Sequence, residues 1–217
     1  MLDLRVPLGD GETPTSFCSR LALHNCYANV QEFCSDMGIQ FQQVIDGDQS
    51  ALARLAELGD VDIERLTRWA VYQRSDVFHS IQGQILPRSA LRLLLVRVCP
   101  ACLASDKERW ASLGYAAPYG RVEWLVESIR TCPVHGHPLV TLGDNPEQGH
   151  PQDFSRRITQ CFSDLTAQCK DGLARPFSEL EKYLRCRLAG NPYPDTPWLN
   201  AMPFYAAARL CEIVGAV

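Results

Sequence analysis

The chain has no apolar run approaching the roughly 20 residues that a membrane span requires. Its opening residues, MLDLRVPLGDGE, carry neither a basic n-region nor an apolar h-region, so no secretory signal is expected. Lysine is scarce: three of the 21 basic residues are lysine, and the net charge is −4. A free-standing DNA-binding protein usually shows a broad basic footprint, which this composition does not supply. A GxxxxGK[ST] loop to cradle phosphates, an HExxH pair, and an HxE paired with cysteines are all missing. Those absences argue in turn against an ATPase, a zinc hydrolase and a nucleobase deaminase. No internal repeat or low-complexity tract occurs.

What is present is ordinary for a soluble globular protein: 217 residues, 46% hydrophobic and 21% charged, enough for one large domain or two small ones. The charge is unevenly spread. Residues 1–60 hold nine acids against three arginines, whereas residues 77–105 hold Arg88, Arg92 and Arg97 and no acid. Of the ten cysteines, Cys18, Cys26, Cys34, Cys161, Cys169 and Cys186 fall in stretches with a helical pattern. There a cysteine acts most simply as a small buried hydrophobe, so a reducing, cytoplasmic setting without disulfides is expected.

Two clusters stand apart. Cys99-Pro100-Ala101-Cys102 and Cys132-Pro133-Val134-His135 each pair soft ligands across two residues, with proline directly after the first. A tetrahedral Zn²⁺ takes four thiolate or imidazole ligands, and two such pairs supply them. The proline stiffens each turn and lowers the entropic cost of convergence. The 29 intervening residues form a loop that a metal can close. Four protein ligands leave no open position for water, so the expected Zn²⁺ is structural and singular rather than catalytic. Two rival readings stand beside it. The four residues can be unrelated core positions, or the strand-like LLLVRV followed by CPAC can imitate a thioredoxin pair in which Cys99 and Cys102 act as thiols. The redox reading leaves Cys132 and His135 unexplained, and His137 competes with His135 as fourth ligand.

Capping signals and periodicity set the expected elements. Thr13-Pro14 starts a helix through Phe17, Leu21 and His24, and a second runs from Val30 to Met37 before Gly38. A third covers Ser50 to Leu58 and stops at Gly59, and Asp62 caps a fourth carrying Ile63, Leu66, Trp69 and Ala70. Val77–Pro87 reads as extended, Leu91–Val98 as helix end or strand, and Lys107–Trp124 as irregular. Val122–Ile129 reads as a short helix or strand that delivers the second cluster. Beyond the breaker-rich GDNPEQGHPQD, Phe154 to Cys169 marks a helix face closed by Gly172. Pro176 opens another helix, closed by Gly190, and Phe204–Val214 is the last. The expected fold is mainly α. A helix-turn-helix-like bundle, or equally a helical packing unit without DNA contact, spans 1–76, a zinc module 77–142, a linker 143–153 and C-terminal helices 154–217. Arg88 and Arg92, one helical turn apart, can share a face, and with Arg97 they are candidate nucleic-acid contacts. A solvated basic surface is the alternative for them. Trp110 and Trp124 are either contact anchors or buried against the zinc module.

The string GETPTSFCSRLALHN resembles the opening helix of the TniQ family of transposition proteins. RVCPACLASD, an aromatic-rich stretch and RTCPVHGHPLV resemble that family's zinc region, so the likeness covers about residues 5–142. It implies a non-catalytic target-selection protein of the TniQ/TnsD group, with Cys99, Cys102, Cys132 and His135 at the family's metal-ligand positions. It also implies an adaptor that links a target-recognition factor to a transposon AAA+ ATPase regulator, which recruits transposase. In CRISPR-associated transposons that factor is an RNA-guided effector ribonucleoprotein, on which TniQ can dock as a homodimer. A stand-alone DNA-binding protein with a helix-turn-helix, and a thiol oxidoreductase, are the alternatives from other classes.

Overall fold

A computed structural model of the chain describes residues 2–143, 150–168 and 174–215. Most of the expected linker, Cys169 and the helix stop at Gly172 lie outside the described residues. The fold is mainly α, with helices flanking two small antiparallel sheets.

Helix α1 (Pro14–His24) begins as its sequence dictates: Thr13 Oγ1 accepts the Ser16 N–H at 3.3 Å, and Pro14 occupies the first turn. Helices α2 (Val30–Asp36), α3 (Phe41–Asp46), α4 (Gln49–Gly59) and α5 (Ile63–Thr67) pack around it. The short α3 was not expected. It has no side-chain cap and buries only Phe41 and Val44, too few positions for a periodicity to show. Helix α4 stops on Asp60 (φ +54) rather than at Gly59. Gly59 serves a different need, because a Cβ there would meet the Phe17 ring at 2.5 Å. Trp69 and Ala70 lie beyond the end of α5, and Cys26, taken as helical, is exposed between α1 and α2 with φ +64.

The extended stretch resolves into β1 (Tyr72–Gln73), β2 (Phe78–Ile81) and β3 (Gln84–Pro87), antiparallel in that order. Gln82 and Gly83 both have positive φ, the signature of a two-residue hairpin turn. Strand β4 (Arg97–Val98) pairs with β5 (Val140–Thr141), and between them runs α6 (Pro100–Arg109). Residues 107–109, expected to be irregular, therefore finish a helix that Pro100 opens. The rest of that region is 3₁₀ turns over Ala111–Ala116 and Val122–Leu125. The chain closes with α7 (Phe154–Gln168), α8 (Glu179–Leu188), α9 (Pro197–Asn200) and α10 (Phe204–Ile213). Ser178, not Pro176, starts α8, through a reciprocal capping box with Glu181.

Three cores result. The first fills the α1–α5 bundle around Phe17, Leu21, Phe33 and Leu52. The second joins β2 and β3 to α8 and α10 through Ile81, Leu86, Leu184 and Phe204. The third packs Val98, Cys99, Cys102, Trp124 and Cys132 against Phe154, Ile158 and Leu165 of α7. Asp153 ties α7 back to the bundle by accepting from Ser19 Oγ and, at 3.0 Å, from the Val30 N–H. No helix among the described residues is long and apolar enough to cross a membrane.

Candidate metal centre

Each cluster is shaped by its own backbone. Pro100 disfavours helical dihedrals at the preceding residue, and Cys99 is extended (φ −99°, ψ 114°) at the N-cap of α6. The first turn of α6 then swings Cys102 to the same side. In the second cluster the Cys132 N–H donates to the His137 carbonyl at 2.8 Å and the Gly136 N–H to the Cys132 carbonyl at 2.9 Å. Gly136 is required there: its φ is +64°, and a Cβ would lie 3.0 Å from the Arg175 carbonyl oxygen.

The two loops bring four donor atoms together. Cys102 Sγ lies 3.5 Å from Cys132 Sγ, and His135 Nδ1 lies 3.3 to 3.6 Å from all three sulfurs. All four donor atoms fall within 4.8 Å of one another. Zinc–sulfur bonds of about 2.3 Å and zinc–nitrogen bonds of about 2.05 Å at tetrahedral angles space the ligands about 3.6–3.8 Å apart. The observed separations fit that set and are far wider than the roughly 2.05 Å of a disulfide. It is His135, not His137, whose ring reaches the sulfurs; His137 stacks on it at 6.4 Å and closes the loop through its carbonyl.

The electrostatics also favour a cation. Contact with the Cys132 and Cys99 sulfurs, together with burial, pushes the Cys102 thiol far up. Cys132, facing the Cys102 and Cys99 thiols, is pushed far down. Three thiolates in one buried cluster repel one another, and a divalent ion relieves that repulsion. Three of the four residues are buried and His135 is half-buried, so the set is closed. One turn after Cys102, Asp106 holds Arg121 by two hydrogen bonds of 2.8 and 3.0 Å.

The rest of the frame was not foreseen. Glu181 Oε1 accepts the N–H groups of Arg130 and Thr131 at 2.8 and 2.7 Å, immediately before Cys132. Its Oε2 completes the α8 capping box, so one buried carboxylate fixes both the helix start and the approach to the second cluster. The Ser-x-x-Glu signature was legible, the long-range bonds were not. Glu181→Ala strands three backbone donors, those of Arg130, Thr131 and Ser178, and is expected to lower stability by about 2–3 kcal/mol. Urea unfolding reads the effect, and a loss under about 0.5 kcal/mol would contradict this role.

The three arginines do not form one surface. The 3₁₀ turn at Arg88 ends at Ala90, so Arg92 shares no helix with it. Arg92 is instead paired with Glu127. Arg97 is buried, and its guanidinium donates to the carbonyls of Trp124, Val126 and Glu127. Burial pushes its pKa down to about 10, which leaves it charged at neutral pH. Arg88 is exposed and makes no ion pair among the described residues. Trp124 is buried beside Phe154, and Trp110 stacks on Tyr119 and under the Arg20 guanidinium. The thioredoxin-like alternative loses its frame, since every strand pair among the described residues is antiparallel and β4 is two residues long.

No curated protein is significantly similar to the chain. The TniQ family model matches residues 3–139, a span that takes in the α1 string, both clusters and the 3₁₀ turns between them. With most of its length matched, and with a Cys₃His donor set assembled inside the match, the chain belongs to the TniQ family of transposition proteins.

Proposed function

We propose that this chain is a non-catalytic adaptor in transposition target selection, linking a target-recognition factor to a transposon AAA+ ATPase regulator. The observation that carries the reading is the closed Cys₃His set inside the family match. In this reading Cys99, Cys102, Cys132 and His135 hold one Zn²⁺. The ion, when bound, cross-links residues 99–102 to residues 132–135 and leaves no position for substrate water. The cross-link stiffens the third core, to which α7 and the segment before α8 are attached. The helices around that core are then free to serve as docking surface. An RNA-guided effector ribonucleoprotein is one target factor that the family resemblance offers. Of the three arginines, Arg88 is exposed and makes no ion pair among the described residues, which favours it as the one to meet a phosphate.

The test is reconstitution. Immobilised zinc-loaded chain is expected to retain both the AAA+ regulator and the effector complex of its own element, and to bridge them in one assembly. Retention of neither, together with salt-dependent binding to a defined duplex by the chain alone, would support the stand-alone DNA-binding reading instead.

A further inference from the structure

One pair of cysteines outside the metal centre is in contact. Cys18, in the middle of α1, and Cys34, in α2, place their sulfurs 3.4 Å apart. Both are free thiols buried in the first core, where Phe17, Leu21, Val30 and Phe33 surround the two helices. A disulfide needs about 2.05 Å, so the two sulfurs are in contact and lie about 1.4 Å short of a bond. Outside the metal centre no other two sulfurs touch among the described residues.

We propose that Cys18 and Cys34 form a dithiol site that closes to an intramolecular disulfide on reaction with a small-molecule disulfide of the glutathione class. The closed fold protects the pair. Contact with Cys34 and burial hold the Cys18 thiol well above its ordinary range, so it stays protonated and inert. Access comes through α2, which is seven residues long, and unwinding so short a helix is a local opening that uncovers Cys34. Its thiolate attacks one sulfur of oxidised glutathione, forming a mixed disulfide and releasing one glutathione thiolate. Before reclosure Cys18, reached by water through the same opening, gives up its proton, attacks the Cys34 sulfur and displaces the second glutathione. Two protein thiols are thus oxidised by two electrons, one small disulfide is reduced to two thiols, and the two protons end on the departing glutathiones. The product ties α1 to α2 beside Ser19 and Arg20, which anchor α7 and the 116–120 segment to the bundle.

The full chain is equilibrated without oxygen in glutathione buffers of rising oxidised fraction, quenched with acid and alkylated in denaturant. Cleavage after Arg20 and Glu32 separates the peptides that carry Cys18, Cys26 and Cys34. The expected result is a Cys18–Cys34 cross-linked pair with the loss of two alkylatable thiols per chain, reversed by reductant. Because the wild-type chain is mapped directly, the readout does not depend on a variant that must fold; Cys34→Ala serves only as a check that the link disappears. Recovery of Cys18 and Cys34 as free thiols in buffers where the exposed Cys26 is fully glutathionylated would overturn the proposal. So would a link from either residue to Cys26 or to the metal-centre cysteines.

Discussion

Cys102→Ser is expected to leave the chain without zinc and to lower its melting temperature by about 10 °C or more, equivalent to at least about 4 kcal/mol. The size follows from position. Cys99, Cys102 and Cys132 are part of the third core, so losing the metal also leaves two unligated thiols and a buried hydroxyl packed against Trp124 and α7. Structural zinc sites contribute about 10–16 kcal/mol of apparent binding energy in small domains, comparable with the whole net stability of a protein. The buried indole of Trp124 supplies the local readout, since its near-ultraviolet signal should fall with the metal. Cys26→Ser is the control: this thiol is exposed, touches no metal ligand, and should change neither zinc content nor melting. A Cys102→Ser chain that kept one zinc and melted within about 2 °C of the parent would remove the structural role assigned to the site.

Arg20→Leu is expected to cost about 3–5 kcal/mol, the range for breaking a buried ion pair by removing one partner. Arg20 and Glu12 are both fully buried, with Arg20 Nη1 2.7 Å from Glu12 Oε2. Arg20 also donates to the carbonyls of Ala116 and Pro7, and Glu12 accepts from Gly9 N–H and Ser16 Oγ. This clasp joins α1 to the segment leading to the second cluster, where Gly120 N–H donates to Ser16 Oγ at 2.8 Å. Burial already raises the Glu12 pKa, with the Arg20 charge opposing it. Without Arg20 the folded pKa rises further above the unfolded one, so the carboxyl favours folding at low pH and opposes it as pH climbs through the folded value. The deficit relative to the parent should therefore be smaller at pH 5 than at pH 8. Chemical denaturation of both chains at the two values measures it. A deficit below about 1 kcal/mol that does not change with pH would contradict the clasp.

Local signals were legible and long-range ones were not. Thr13-Pro14, Gly38 and Gly190 marked helix ends because caps and glycines act within a few residues. The face of α7 was visible from Phe154, Ile158 and Leu165, all of which the third core buries. The two ligand pairs could be read from spacing, although only the fold brings residues 99–102 and 132–135 into one cluster. The start of α6 at Pro100 was also available as a proline at the first helical position, but Pro100 was read as stiffening a turn between two ligands. The misread Arg97 and the overlooked Glu12, Arg20 and Glu181 share one cause. Arg97, Glu12, Arg20 and Glu181 each have partners at least 8 and up to 96 residues away, and nothing in their neighbours distinguishes a buried charged side chain from a solvated one. The motif GETPTSFCSRL now has a physical reading: Thr13 caps α1, while Glu12, Ser16 and Arg20 build the clasp beneath it.

In the proposed function, Cys99, Cys102, Cys132 and His135 form one closed zinc site that holds the adaptor's frame together. Metal analysis with zinc X-ray absorption on the full chain, purified without chelator, tests it most directly. The expected result is about one zinc per chain with three sulfurs near 2.3 Å, one nitrogen near 2.05 Å and no bound water. Protein free of zinc, or zinc held by fewer than three sulfurs with an oxygen in the remaining position, would contradict it.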